Sequence, residues 1–192
     1  MHQLKPIPTR YKGYHFRSRL EARWAVFFDA LRLPWEYEPQ GFSLKSGFYL
    51  PDFKVTYPDR GAPQEYWFEC KGDLSSVRDD EWARMIEFEE AIDANSTLIV
   101  LDGVPERKMY LSPKLACGWE SDSDSPPPKR PYKATLGAFL DGRHGFALYS
   151  HKERPWFDEP AYLRWSGTDE VIDSAVAHAR SARFEHGECG AT

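Results

Sequence analysis

Three residues invite a chemical reading. Asp52, Glu69 and Lys71 lie within "FYLPDFKVTYPDRGAPQEYWFECKG", residues 48–72. The segment reads as two β-strands joined by a turn-rich loop, "PDRGAP" at 58–63. Phe48, Tyr49, Phe53, Trp67 and Phe68 flank the three charges. Charged side chains are seldom fully buried unless paired or bound to metal. These three therefore either face water or share a site. Strand side chains alternate between faces. Glu69 and Lys71 point one way, and Phe68 and Cys70 the other. Asp52 and Lys54 share a face, opposite Phe53 and Val55. If Phe53 and Phe68 both enter the core, Asp52, Glu69 and Lys71 project together from neighbouring strands. Two carboxylates so arranged form a hard oxygen site suited to Mg²⁺. A lysine beside them can hold or deprotonate a water, or stabilise charge on a phosphate. That is the equipment for metal-assisted phosphodiester hydrolysis.

Each residue also has a plainer explanation. Asp52 can follow Pro51 into a bend at an edge strand. Glu69 and Lys71 can be an exposed pair on a half-solvated sheet. All three together, in this order, favour the shared site.

The elements that must position them are legible nearby. "FRSRLEARWAVFFDALRLPW" is a helix, with Leu20, Trp24, Phe27, Phe28 and Leu31 on one apolar stripe. Ser18 is its N-cap and Pro34 its stop. Trp35 to Glu38 alternates aromatic and acidic residues like a half-exposed strand. Phe42 and Leu44 lead into a Lys-Ser-Gly turn, and a strand runs from Tyr49 to Tyr57. After the "EYWFECK" strand a second helix spans roughly Val77 to Ala94, with Trp82, Met85, Ile86 and Ile92 inward. "STLIVLDG" is a short buried strand. The order of helix, three strands, helix and strand implies an α/β layer around a mixed sheet.

The chain divides at "SDSDSPPPKRP", residues 121–131, a proline- and serine-rich linker or loop. Residues 1–120 form the expected core with a basic N-terminal arm. Residues 132–192 form an extension, with a hairpin turning at Asp141-Gly142 and a final helix from about Asp169 to Phe184. Ala175, Val176, Ala179 and Ala182 are that helix's packing face, and "HGECGAT" is a loose tail.

Charge and cysteine usage narrow the function further. The 192 residues carry a net −5, but residues 1–32 hold +5, leaving −10 on the remainder. Lys12, Arg17, Arg19 and Arg23 on the basic end can meet phosphates, or simply solvate a helix face. Tyr11, Tyr14 and His15 interleave with them and can stack on bases or pack inward. Cys70, Cys117 and Cys189 are far apart and odd in number, which argues against zinc and against a disulfide framework. His144 and His151 repeat no ligand spacing. No apolar run follows the N-terminal charges and none is long enough to span a bilayer, so a cytoplasmic protein is expected.

Pro51-Asp52 followed by Glu69-Cys70-Lys71 resembles the PD-(D/E)XK nuclease superfamily, with its restriction-endonuclease-like fold. The resemblance covers roughly residues 14–102 and is nearest the small nuclease-like proteins of bacteriophages and mobile elements. It implies Mg²⁺- or Mn²⁺-dependent cleavage of DNA, with Asp52 and Glu69 as metal ligands and Lys71 orienting or activating water. It also implies that Glu21, on the first helix, joins the catalytic and metal-binding set. Ser18-x-x-Glu21 equally reads as a capping box, in which Glu21 bonds back to the Ser18 backbone. One departure stands out. Many members carry a lysine or glutamine on the next helix, where this chain offers Arg84 and Glu87. Double-strand cutting by so small a domain implies a homodimer; no organic cofactor is called for. Two competing readings are an inactive nuclease-like module that binds DNA or protein, and an enzyme acting on RNA. A protein partner could use Trp156, Phe157, Tyr162 and Trp165.

Overall fold

Successive residues of two adjacent central strands enter different hydrophobic cores, and this alternation organises the molecule. The computed structural model describes residues 6–57, 64–93, 96–111, 132–138, 146–150, 162–163 and 169–184. A hairpin of β1 (Thr9–Tyr11) and β2 (Tyr14–Phe16) precedes helix α1 (Arg19–Ala30). Strand β3 (Trp35–Tyr37) is followed by a second hairpin, β4 (Phe42–Leu44) and β5 (Gly47–Tyr49). Next come β6 (Phe53–Tyr57), β7 (Gln64–Lys71), a short 3₁₀ turn, helix α2 (Asp79–Ala91), β8 (Ser96–Asp102) and β9 (Lys108–Leu111). The last elements are β10 (Tyr132–Ala138), β11 (Phe146–Ser150), β12 (Tyr162–Leu163) and helix α3 (Asp169–Ser181).

Eight strands form one sheet in the order β12-β11-β10-β9-β8-β7-β6-β3. It is mixed: β7 and β8 run parallel, linked through α2, and β6 is antiparallel to β7. The protein is thus of the α/β class. Strands β7 and β8 are covered on both faces, which explains the unbroken apolar run Leu98 to Leu101. Phe53, Phe68 and Ile99 face α1 and α3 in one core, with Trp24, Phe28 and Ile172. Trp67, Leu98 and Val100 face α2 in the other, with Trp82, Met85 and Phe88.

The first helix is capped by Ser18, whose Oγ accepts the Glu21 N–H at 3.2 Å. It ends at Ala30, earlier than Pro34 alone requires, because Arg32 turns left-handed with φ 56°. Residues 9–16 of the basic end form the β1–β2 hairpin. Lys12 and Gly13 both have positive φ at its turn, the pairing that a tight two-residue hairpin demands. The strand expected from Tyr49 to Tyr57 is two strands. It breaks at Leu50–Asp52, where Pro51 has no N–H to donate. Helix α2 is shorter than the expected Val77–Ala94, and its inward stripe takes Phe88 where Ile86 was expected.

Downstream of the linker, β10 pairs with β9, so the later strands extend the same sheet. The expected hairpin is present as β10 against β11. Its Asp141-Gly142 turn, the linker, the tail and Cys117 and Cys189 lie outside the described residues. So do Trp156, Phe157 and Trp165, and the Tyr162 side chain. Helix α3 buries Ile172, Ala175 and Ala179 against the α1 core. Among the described residues, no helix is long and apolar enough to cross a membrane.

Phe88 is fully buried between Phe42, Tyr49 and Trp67, with ring centroids 4.8, 4.8 and 5.7 Å away. It ties the second hairpin to the sheet through α2. Phe88→Ala should cost about 3–5 kcal/mol in urea unfolding, the range for an aromatic removed from a core that cannot collapse.

Candidate active site

The register of β6 against β7 decides where the charges meet. Phe53 pairs with Phe68 across the antiparallel ladder. Asp52, one residue before, then lies opposite Glu69, one residue after. The backbone continues this pairing past the strand end, with Asp52 N–H donating to Phe68 C=O at 3.1 Å. Asp52 is thus in a bend, as the plainer reading had it, but not at an edge: β6 lies between β3 and β7. Asp52 is 3% exposed and Glu69 8%, so neither is a solvated surface charge.

Each carboxylate is held by named donors. Asp52 Oδ2 accepts the Cys70 N–H at 2.7 Å, and Oδ1 accepts Arg17 Nη2 at 2.5 Å. Glu69 Oε2 accepts the Tyr49 hydroxyl at 2.9 Å, and Oε1 pairs with Lys71 Nζ at 2.9 Å. Glu21 is also buried, at 8% exposed. Its Oε2 accepts the Tyr37 hydroxyl at 2.6 Å and the Arg17 N–H at 3.0 Å, while Oε1 accepts Ser18 Oγ at 2.7 Å. The capping box therefore forms with a change: Glu21 reaches the Arg17 backbone, one residue beyond the expected Ser18. Capping and the site claim the same residue at once.

Burial raises the Asp52 pKa well above the usual carboxylate range, and the Glu69 and Glu21 charges push it the same way; the Cys70 N–H and Arg17 only partly oppose this. Burial and the Glu69 charge raise the Tyr49 hydroxyl, which stays a neutral donor. Burial alone would lower Lys71, but the Glu69 charge and hydrogen bond outweigh it, and Lys71 remains a cation. Cys70, behind the carboxylates, is pushed up by burial and by Asp52, so it is an inert thiol.

Glu69 and Lys71 open onto a cleft of about 370 Å³, lined also by Arg17, Phe48, Tyr49 and Arg84. Of the two residues offered by α2, Arg84 reaches this cleft. Glu87 points elsewhere, accepting the N–H groups of Lys45 and Ser46 in the β4–β5 turn. The other basic residues are less available to phosphates than their spacing suggested. Lys12 is paired with Asp29 at 3.0 Å, and Arg17 with Asp52 and with Glu38 at 2.7 Å. Arg19 and Arg23 are half-buried on α1. Tyr11 is buried in the core; Tyr14 is partly exposed and packs on Trp35; His15 is exposed.

Among the described residues, no three His, Cys, Asp or Glu side chains converge as a preformed metal cage. Asp52 and Glu69 nevertheless suit a hard cation. They are oxygen donors, and Asp52 Oδ1 is held by an arginine whose side chain is 57% exposed. A Mg²⁺ ion bound by two carboxylates and several waters needs no more protein ligands. Glu21 brings a third carboxylate beside them, its oxygens engaged by Tyr37, Ser18 and the Arg17 N–H as theirs are by their own donors. Tyr37, Tyr49 and Glu38 complete the site unforeseen. Comparison with family models, with curated proteins and with solved structures returned no match to this chain.

Asp52 with a raised pKa means the folded protein holds its proton longer than the unfolded chain does. Stability then falls as pH rises from the ordinary carboxylate range towards the raised value. Asp52→Asn should therefore stabilise the metal-free protein at neutral pH by about 1 kcal/mol. The gain should fade near about pH 4, as read by urea unfolding in EDTA across the pH range.

Proposed function

We propose that the chain is a Mg²⁺- or Mn²⁺-dependent deoxyribonuclease of the PD-(D/E)XK type, with a restriction-endonuclease-like core. One observation carries the reading. The Phe53–Phe68 register sets Asp52 against Glu69, both buried, with Lys71 paired to Glu69 at the mouth of a cleft. Buried like charges cost stability, and a fold keeps them where they do work. Asp52 and Glu69 would hold the ion, and Glu21 would add negative charge beside it. A bound divalent cation supplies Lewis-acid polarisation of the phosphate and a water of lowered pKa. Lys71, charged and tethered to Glu69, is suited to orient that water or to stabilise charge on the phosphate. Arg17 neutralises Asp52 in the metal-free protein and must give way on loading.

Arg17 on Asp52 is also the observation that favours the second reading, a module that binds nucleic acid without cutting it. Supercoiled, linear and single-stranded DNA incubated with Mg²⁺, Mn²⁺ or EDTA separates the two. The nuclease reading expects metal-dependent cutting, lost to background in Asp52→Ala and lowered at least about 100-fold in Lys71→Ala. Absence of cutting in every lane, with metal-independent binding kept by both variants, would establish the binding module instead.

A further inference from the structure

The second hairpin presents a feature that hydrolysis itself does not use. Phe48 is 67% exposed, the most exposed large apolar side chain among the described residues. It stands on β5 at the lip of the cleft that holds Glu69 and Lys71. The hairpin beneath it is fixed at two points. Glu87 accepts the Lys45 and Ser46 N–H groups at its turn, and Tyr49 is bonded to Glu69. The ring itself is set against the Gly41 backbone, so closely that a Cβ there would lie 2.1 Å from the ring's far carbon. The exposed ring therefore stands on a hairpin held at both ends, beside the Glu69–Lys71 pair.

The same cleft carries a further cation besides Lys71. Arg84 lines it from α2, and its Nε is buried without a hydrogen-bond partner. Its guanidinium is a fork of donors that matches a phosphate. A flat apolar ring and an arginine flanking one carboxylate–lysine pair fit a nucleotide: the base on the ring, its phosphate on the guanidinium.

Resting on the nuclease reading of the site, we infer that Phe48 and Arg84 form a nucleotide subsite that takes an unpaired base, so that the preferred substrate is single-stranded DNA or a DNA end with an unpaired tail. A base inside a duplex has both faces covered by its neighbours and cannot accept the ring. Stacking is indifferent to sequence, so the subsite selects substrate form and not a recognition sequence.

The test measures binding, in EDTA so that nothing is cut. Full-length protein is titrated into fluorescent single-stranded and blunt duplex oligonucleotides, with 2-aminopurine as the reporter of stacking. The single strand should bind more tightly and its 2-aminopurine signal should be quenched. Phe48→Ala should weaken that binding about tenfold and abolish the quench, while Phe48→Tyr retains both. Gly41→Ala should mimic Phe48→Ala, because the added methyl displaces the exposed ring without deleting it. Arg84→Gln should weaken binding and flatten its salt dependence. Unchanged single-strand affinity in Phe48→Ala, or an equal loss on single strand and duplex, would overturn the subsite. Cleavage by the unaltered protein in Mg²⁺ is scored on the same oligonucleotides. Cutting alongside an unaffected Phe48→Ala removes the subsite alone. No cutting alongside the expected Phe48→Ala loss removes the nuclease reading and leaves a nucleotide-binding site.

Discussion

Three carboxylates withdrawn from water at one end of β6 and β7 are the constraint to which the surrounding structure answers. Asp52, Glu69 and Glu21 repel one another, and burial magnifies that repulsion. Such a cluster persists only when donors and cations are fixed around it. Arg17 and Lys71 supply the cations, Tyr37 and Tyr49 the hydroxyls, and Cys70 a backbone N–H. These groups come from the approach to α1, from β3, from the β4–β5 hairpin and from β7. The arrangement of those elements about the sheet is thus the arrangement that keeps the charges satisfied.

The site lies on the seam between the two cores. From the α1 side come Glu21 and Arg17; from the α2 side come Tyr49 and Arg84. The Phe53–Phe68 pair below belongs wholly to the first core, and Trp67, one residue away, to the second. A site on a seam is held by packing on both sides, which fixes its side chains. It also stays open along the seam, where the cleft is.

The meeting of Asp52 and Glu69 was legible because strand alternation and two apolar anchors, Phe53 and Phe68, leave one register that satisfies the core. Ser18 and the α1 stripe were legible for a similar local reason. What could not be read was set by distant partners. Arg17 looked like a solvated cation because Asp52, its partner, is 35 residues away. Phe88 was overlooked because its neighbours Phe42 and Trp67 come from other elements, and a helical stripe alone does not say which of Ile86 and Phe88 is deeper. The β1–β2 hairpin did leave a signal, Lys12-Gly13 between alternating Tyr11 and Tyr14, but its three-residue strands were hidden among basic residues. Strand β9 has only four residues, below the length at which alternation speaks.

Helix α3 closes the first core from the far end of the chain. Ile172, Ala175 and Ala179 rest against elements formed before residue 70, and Arg107 clasps Asp169 and Asp173 at 2.8 and 2.6 Å. Chain order and packing order therefore disagree. On the ribosome, α1 emerges more than a hundred residues ahead of the helix that packs on it. At about 5–20 residues per second the packing surface for α3 stays bare for seconds, and the first core is complete only once residues 169–181 have been made.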